Sequence, residues 1–316
     1  MKIFSYTILL LFFSIATFAQ KIIKSDLKKL QISEDTLKKP ALQIVQGNKA
    51  LERLKADSVF TRLLVKSLKT SNSFYYPFDS LQTISKLYSP DSTFRIFTWQ
   101  LVIDDAICRQ HGAIQMRTPD GSLKLYPLID KSDITKNYSD SIGNNFGWMG
   151  AVYYRIILNI YSGKKIYTLL GYDEHGILSS RKLIEILTFE NNEPVFGRRC
   201  FSVPNDKLVP KTPARYVMEF KKDAGPRLTY DEDLQMIIME HLVSESNEPN
   251  KKFTLVGDGD YEGFKWTNGK WIYISKVFNE VTPEGQPPVP DPVKEDKRMD
   301  PSKYNQAVPE NTRSPE

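Results

Sequence analysis

Gly263-Phe264-Lys265-Trp266-Thr267-Asn268-Gly269-Lys270-Trp271-Ile272-Tyr273-Ile274 is the stretch that decides the class of fold. Asn-Gly tolerates positive φ at both central positions of a tight turn whose twist matches that of its flanking strands. Aromatic side chains alternate with others on both arms, a period of two that gives each arm one apolar face. The reading is an antiparallel hairpin, and the chain upstream repeats it in weaker forms.

Residues 94–103 (FRIFTWQLVI) are rich in aromatic and β-branched side chains, as strands are. Residues 113–117 and 123–128 flank Thr118-Pro119-Asp120-Gly121, where proline presets one φ and glycine supplies a positive one. Residues 152–160 are expected to pair with 166–170. Residues 183–189 face Val195-Phe196 across Asn191-Asn192-Glu193-Pro194. Residues 215–220, 227–230 and 234–239 form a further set, with Asp231-Glu232-Asp233 as a tight turn. Short strands joined by local turns predict a mainly β protein, an antiparallel meander, either propeller-like or a twisted sandwich or open barrel. The nearly continuous apolar run 152–160 predicts a central strand covered on both faces.

Upstream of the strands lies a small N-terminal helical segment. Asn48 is placed to cap a helix over 49–69, in which Phe60, Leu63, Leu64 and Leu68 form one apolar stripe. A second short helix is expected over 79–88, with Leu81, Ile84, Leu87 and Tyr88 apolar. Residues 21–69 carry twelve Lys/Arg against five Asp/Glu, a net charge of +7 within a chain whose total is +5. The basic character therefore belongs to this segment, as the solvated face of ordinary helices or as a contact for an acidic surface.

The two ends read differently from the body. Lys2, an apolar core over 8–13 and the small residues Thr17 and Ala19 match a signal peptide cleaved after Ala19. The apolar stretch is short for a bilayer, and no later run is long enough to span one, so no integral membrane segment is expected after removal of the leader. Residues 283–316 hold eight prolines in a charged stretch almost without large apolar side chains, the composition of a disordered tail. The expected organisation is a leader (1–19), a basic helical segment (20–90), an antiparallel β domain (91–282) and the tail (283–316). Export places the protein in the periplasm or outside the cell, where Cys108 and Cys200 could pair or stay as buried thiols. Nucleic acid is not an expected partner there.

The phrases Phe94-Arg95-Ile96-Phe97-Thr98-Trp99, Gly112-Ala113-Ile114-Gln115, Leu123-Lys124-Leu125-Tyr126-Pro127-Leu128, Tyr167-Thr168-Leu169-Leu170-Gly171-Tyr172-Asp173 and Gly269-Lys270-Trp271 carry a resemblance. Together they look like a group of uncharacterised exported proteins of Gram-negative bacteria, over about residues 57–278. The resemblance implies export and a β-rich body; it carries over no activity, cofactor or catalytic residue.

Tests for chemistry leave the catalytic residues unknown and predict no metal and no cofactor. His111, His175 and His241 stand without a second ligand at metal spacing, and Asp173-Glu174-His175-Gly176 reads as a solvent-exposed turn. Ser25-Asp26-Leu27-Lys28 fits Ser-x-x-Lys but lacks its partner motifs, and Gly-x-Ser-x-Gly is absent from the sequence. Cys108 could be activated by His111 or a distant histidine, against the plainer reading of a buried or bridged cysteine. Asp258, Asp260 and Glu262 alternate as calcium ligands can, yet the twelfth position of an EF-hand counted from Asp258 is Gly269. Asp104, Asp105 and Asp130 at strand ends could serve as paired carboxylates. Trp99, Trp148, Tyr153, Tyr154, Trp266 and Trp271 could form a stacking surface, or core and cross-strand pairs. The functional expectation is an exported, envelope-associated, non-enzymatic module that binds a peptide, glycan or envelope protein. The alternative is an exported hydrolase with a site assembled from distant loops, and a weaker third reading is a structural component of the envelope.

Overall fold

The computed structural model describes residues 22–104, 107–203 and 212–278. The leader and the tail expected from the sequence, like Asp105, lie outside the described residues. The chain divides into two units, residues 1–277 and 278–316, and the description that follows concerns the first.

The elements run α1 (Lys24–Gln46), α2 (Ala50–Leu68), β1 (Ser85–Tyr88), β2 (Phe94–Val102), β3 (Cys108–Met116), β4 (Lys124–Ile129), β5 (Gly143–Asn144), β6 (Val152–Tyr161), β7 (Lys164–Asp173), β8 (Ser179–Glu190), β9 (Glu193–Phe196), β10 (Phe201–Ser202), β11 (Tyr216–Lys221), β12 (Leu228–Asp231), β13 (Met236–Ser244), β14 (Leu255–Thr267) and β15 (Lys270–Ile274). They build three sheets. Sheet I has the order β1-β2-β3-β4; sheet II has β5-β9-β8-β7-β6, with β11 also on β8; sheet III has β10-β15-β14-β13-β12. Strand pairing is antiparallel throughout except for β10, which runs parallel to β15. Among the described residues no sheet closes into a barrel. The molecule is mainly β with two N-terminal helices, a layered sandwich.

Period-two alternation sets the layers, because neighbouring residues on a strand point to opposite faces. In β2, Phe97, Trp99 and Leu101 pack on the helices beside Phe60, Leu64 and Leu68, while Phe94 and Ile96 face sheet II. In β7, Tyr167 and Leu169 meet sheet I, and Ile166 and Leu170 meet sheet III. In β8, Leu183 and Leu187 take the first side, Ile184 and Ile186 the second. The order is therefore helices, sheet I, sheet II, sheet III, with a buried apolar layer at each junction.

Several local expectations hold. The hairpin at Asn268-Gly269 joins β14 to β15 with Trp266 opposite Trp271, and both turn residues have positive φ. Gly121 has φ +73° in the turn between β3 and β4. The pairs β6/β7 and β8/β9 form as read.

Others are corrected. Residues 79–88 are not a helix: Leu81 and Ile84 plug into the helix–sheet core from a turn, and Ser85–Tyr88 pairs with β2 as an edge strand. Sheet pairing satisfies more backbone groups than an isolated turn of helix could, and here it overrides the apolar spacing. Asn48 does not cap α2, whose N-cap is Lys49 with no side-chain cap bond. Arg53 instead ties the helix entry down, donating to the carbonyls of Gly47, Val102 and Ile103. The run 152–160 is not a doubly covered central strand. β6 is the last strand of sheet II, and Tyr154 and Ile160 keep 40% and 65% of their surface exposed; the covered strands are β7 and β8. A run of apolar residues cannot distinguish these cases, since large side chains on an edge strand also shield its backbone. Finally, β11 leaves the expected local set to pair with β8, more than thirty residues earlier.

Candidate functional site

A cleft of about 590 Å³ lies where β11 and the 136–139 segment approach sheet III. Arg215, which lines it, is held from behind by an ion pair: Arg215 Nε donates to Glu185 Oε2 at 2.8 Å, and both side chains are wholly buried. Burial pushes the Glu185 carboxyl up from its ordinary value, whereas Glu185 holds the Arg215 guanidinium charged despite its burial. Arg215 Nη1 also donates to the carbonyl of Tyr138, whose ring lies beneath the guanidinium of Arg181 at 5.0 Å.

Two carboxylates line the cleft, and each belongs to its own network. Glu219 on β11 accepts from Ser179 Oγ at 2.8 Å on Oε1 and from Arg181 Nε at 2.9 Å on Oε2. Burial pushes its carboxyl up, but the Arg181 charge and these hydrogen bonds outweigh that and leave it below the ordinary value. Glu262 on β14 is bonded by Tyr273 Oη, and burial leaves its carboxyl above the ordinary value. His241 Nδ1 lies 2.8 Å from Asp258 Oδ2, a hydrogen bond that raises the imidazole pKa. Lys136 and Lys252 are exposed at the rim, with no side-chain partner among the described residues.

A second cavity of about 310 Å³ opens at the end of β7. Asp173, only 5% exposed, lines it together with Cys108, Arg109, Asp133 and His175. The expected solvent-exposed turn is thus corrected. The chain does turn there, with φ +57° at His175, but Asp173 points inward. Its carboxylate accepts from Gln110 Nε2 and from the His175 backbone N–H, both at 3.1 Å and both on Oδ1. These bonds hold the turn, and they carry the carboxyl into the protein. Burial pushes its pKa from an ordinary 3.8 to about 6.

A folded-state pKa above the unfolded one means that the neutral form favours folding. The stabilising contribution is complete below about pH 4 and is lost as pH rises through about 6. Asp173→Asn is therefore expected to raise stability at pH 7 by about 1–3 kcal/mol and to leave it unchanged near pH 3.5. Urea denaturation at the two pH values checks this; an equal effect at both would show that the carboxyl does not titrate on folding.

The remaining sequence candidates scatter. His111 Nδ1 and Trp99 Nε1 both bond Asp57 Oδ1, at 2.9 and 2.7 Å, and so clamp α2 onto sheet I. This separates His111 from Cys108, whose thiol is pushed up to about 11 by burial and is not activated. Cys108 and Cys200 are free thiols. Trp148, Trp271 and Tyr153 are fully buried and Trp99 nearly so, as core; Tyr154 and Trp266 remain partly exposed. Asp130 accepts the backbone N–H groups of Gln110 and Ser132. Asp104 accepts the N–H of Ile107 in its turn. Ser25 and Lys28 sit exposed on α1. Asp258, Asp260 and Glu262 lie within β14, and no group of three His, Cys, Asp or Glu among the described residues could hold a metal ion. Sequence reasoning missed Glu185, Arg215, Glu219 and Arg181 entirely. Arg215 and Glu185 stand in strands otherwise read as apolar, and a charge inside such a run is the one signal that could have marked them.

The fold and these two cavities define a layered β protein with a helical hairpin and polar recesses beside its central sheet. No family model matches the chain, and no curated protein or solved structure does.

Proposed function

We propose that this chain is an exported binding module of the cell envelope that takes a carboxylate-bearing ligand in the larger cleft. The observation that carries the reading is its charge: Lys136, Arg181, Arg215 and Lys252 line it against Glu219 and Glu262. The two carboxylates are already bonded to neighbours, while the two rim lysines are not. A fixed polar floor with unpaired cations at the rim suits recognition of an anion, and steers its approach. Tyr216 and Tyr273, both half-buried, add aromatic surface to its wall. Export is supported by the leader-like residues 1–19. No helix among the described residues is long and apolar enough to cross a membrane.

The test is calorimetric titration of the mature protein with oligogalacturonate and, separately, with a polyglutamate peptide, the two arms distinguishing glycan from peptide. The Lys136→Glu/Lys252→Glu double variant is expected to weaken binding at least about tenfold, with affinity falling as salt rises. Retained affinity in that variant, or no binding in either arm, defeats the proposal.

One observation favours a hydrolase as second reading. Glu262 and Glu219 share the cleft with their pKa values displaced in opposite directions, the partition that an acid and a charged carboxylate need. Against it, both oxygens of Glu219 are occupied. Turnover of aryl glycosides that disappears in Glu262→Gln would replace the first reading by this one.

A further inference from the structure

We propose that the smaller cavity, where Asp173 Oδ2 is left open behind Cys108 and Arg109, is a second site that binds a small primary amine.

The argument begins with an imbalance of donors. Both hydrogen bonds to Asp173 land on Oδ1, and Oδ2 has no partner among the described residues. Beside it, Gln110 is 1% exposed, and its Nε2 is spent on Gln100 Oε1 at 3.0 Å and on Asp173. Gln110 Oε1 is buried without a partner. Gln110 does not line the cavity, so the open acceptor that faces it is Asp173 Oδ2, and a buried acceptor left unpaired is costly. A ligand that relieves it must bring an N–H donor.

Charge narrows the class further. Among the described residues, the cation that lines the cavity and the two that act on its titratable groups are each bound to another carboxylate: Arg109 Nη2 to Asp133 Oδ2 at 2.8 Å, Arg181 Nε to Glu219, and Lys222 to Glu174. Arg181 is the cross-strand neighbour of Asp173 and attracts it, but forms no ion pair with it. Asp130 adds negative charge nearby. The thiol of Cys108 is neutral and brings no charge to the cavity. His175 is held below its ordinary pKa by burial and the Arg181 charge, so it does not neutralise Asp173 at pH 7. Of the two carboxylates that line the cavity, Asp133 has Arg109 and Asp173 has no ion pair among the described residues. An ammonium supplies three donors and the missing charge together. A bare metal ion fits less well, because no three ligating side chains converge among the described residues. The volume of about 310 Å³ and the Ile107 wall suit a short alkyl chain behind the ammonium.

This site is independent of the larger cleft, and its failure would leave the proposed function untouched. The mature protein is titrated with putrescine, lysine and methylamine at pH 7.5 and followed by calorimetry and melting temperature. At least one amine is expected to bind and to raise the melting temperature in a saturable manner. Affinity should fall about tenfold per pH unit below about 6, where Asp173 takes up its proton. Asp173→Asn should weaken binding at least about tenfold while keeping the Oδ1 bonds, and Cys108→Phe should block the cavity by volume. Three results would overturn the proposal: no amine binding at about 10 mM, unchanged affinity in Asp173→Asn, or a divalent cation that displaces the amine and gives the greater protection. Should Asp173→Asn not fold, the Cys108→Phe variant and the wild-type pH profile decide the matter.

Discussion

Arg95→Leu is expected to remove about 5 kcal/mol or more of stability, enough to unfold a domain whose total lies in the usual range of about 5–15 kcal/mol. Arg95 is the second residue of β2, with no exposed surface and no carboxylate partner among the described residues. Its guanidinium is held by neutral groups instead. Nε donates to Gln115 Oε1 at 2.8 Å, Nη1 to the Tyr76 carbonyl and to Tyr88 Oη, and Nη2 to the Ser73 carbonyl at 2.8 Å. The rings of Phe74, Phe78, Tyr88 and Phe97 surround it, the nearest with its centroid 4.6 Å from the guanidinium carbon.

Burial lowers its pKa to about 10, so it is still charged at neutral pH. Leucine would leave Gln115 Oε1 and the Tyr76 carbonyl without a donor, at roughly 1–3 kcal/mol each before relaxation, and would remove desolvated cation–π contacts worth about 2 kcal/mol. Arg95→Lys keeps the charge but cannot fork to Ser73, Tyr76 and Gln115 at once; about half of the loss is expected to remain. Chemical denaturation of both variants checks the order. A loss below about 1 kcal/mol for leucine would mean that the 73–78 turn and β1 are held in place by other contacts.

The second large effect is expected at the buried ion pair behind the larger cleft. Glu185→Gln or Arg215→Met alone should cost about 3–5 kcal/mol, because each leaves a buried group without its counter-charge. The double variant Glu185→Leu/Arg215→Met should recover most of that, since an apolar pair avoids the desolvation of two ions. A double-mutant cycle by urea denaturation measures the coupling. Additive losses in the double variant would show that the two side chains stabilise the fold separately. The consequence reaches the site. Arg215 donates to the Tyr138 carbonyl, and its backbone N–H bonds Ser139, so loosening the pair frees the 136–139 wall of the cleft. The single variants are therefore expected to lose ligand affinity even at temperatures where they stay folded.

How far the sequence reaches is clearest in β7 and β8. Their strand character and their turn are local matters, carried by β-branched and aromatic residues around Gly163 and around Asn191-Asn192, and they are legible without a structure. Yet Ile166, Tyr167, Leu169 and Leu170 look alike in a sequence. Which of them meets sheet I and which sheet III depends on strands far away along the chain. The same holds for 152–160, where an apolar run suited to a covered strand sits at a sheet edge. It holds again for 79–88, where pairing with β2 overrides helical spacing.

The candidate sites lie almost wholly beyond that reach. Asp173 reads as an exposed turn residue because Asp-Glu-His-Gly is turn composition; it is buried because Gln110, sixty-three positions away, offers its amide. Glu219 and Glu262 share a cleft only because β11 docks on β8 while β14 belongs to the sheet packed against it.

Local alternation, turn chemistry and composition by themselves determined that the body is antiparallel β, where its hairpins fall, and that a basic helical segment precedes it. Only the tertiary structure decided the stacking order of the layers, the edge position of β6 and the burial of Arg95, Asp173, Glu185 and Arg215. The reason is physical. A turn depends on the φ and ψ of two or three neighbouring residues, whereas the environment of a buried charge is set by whichever distant strands close over it.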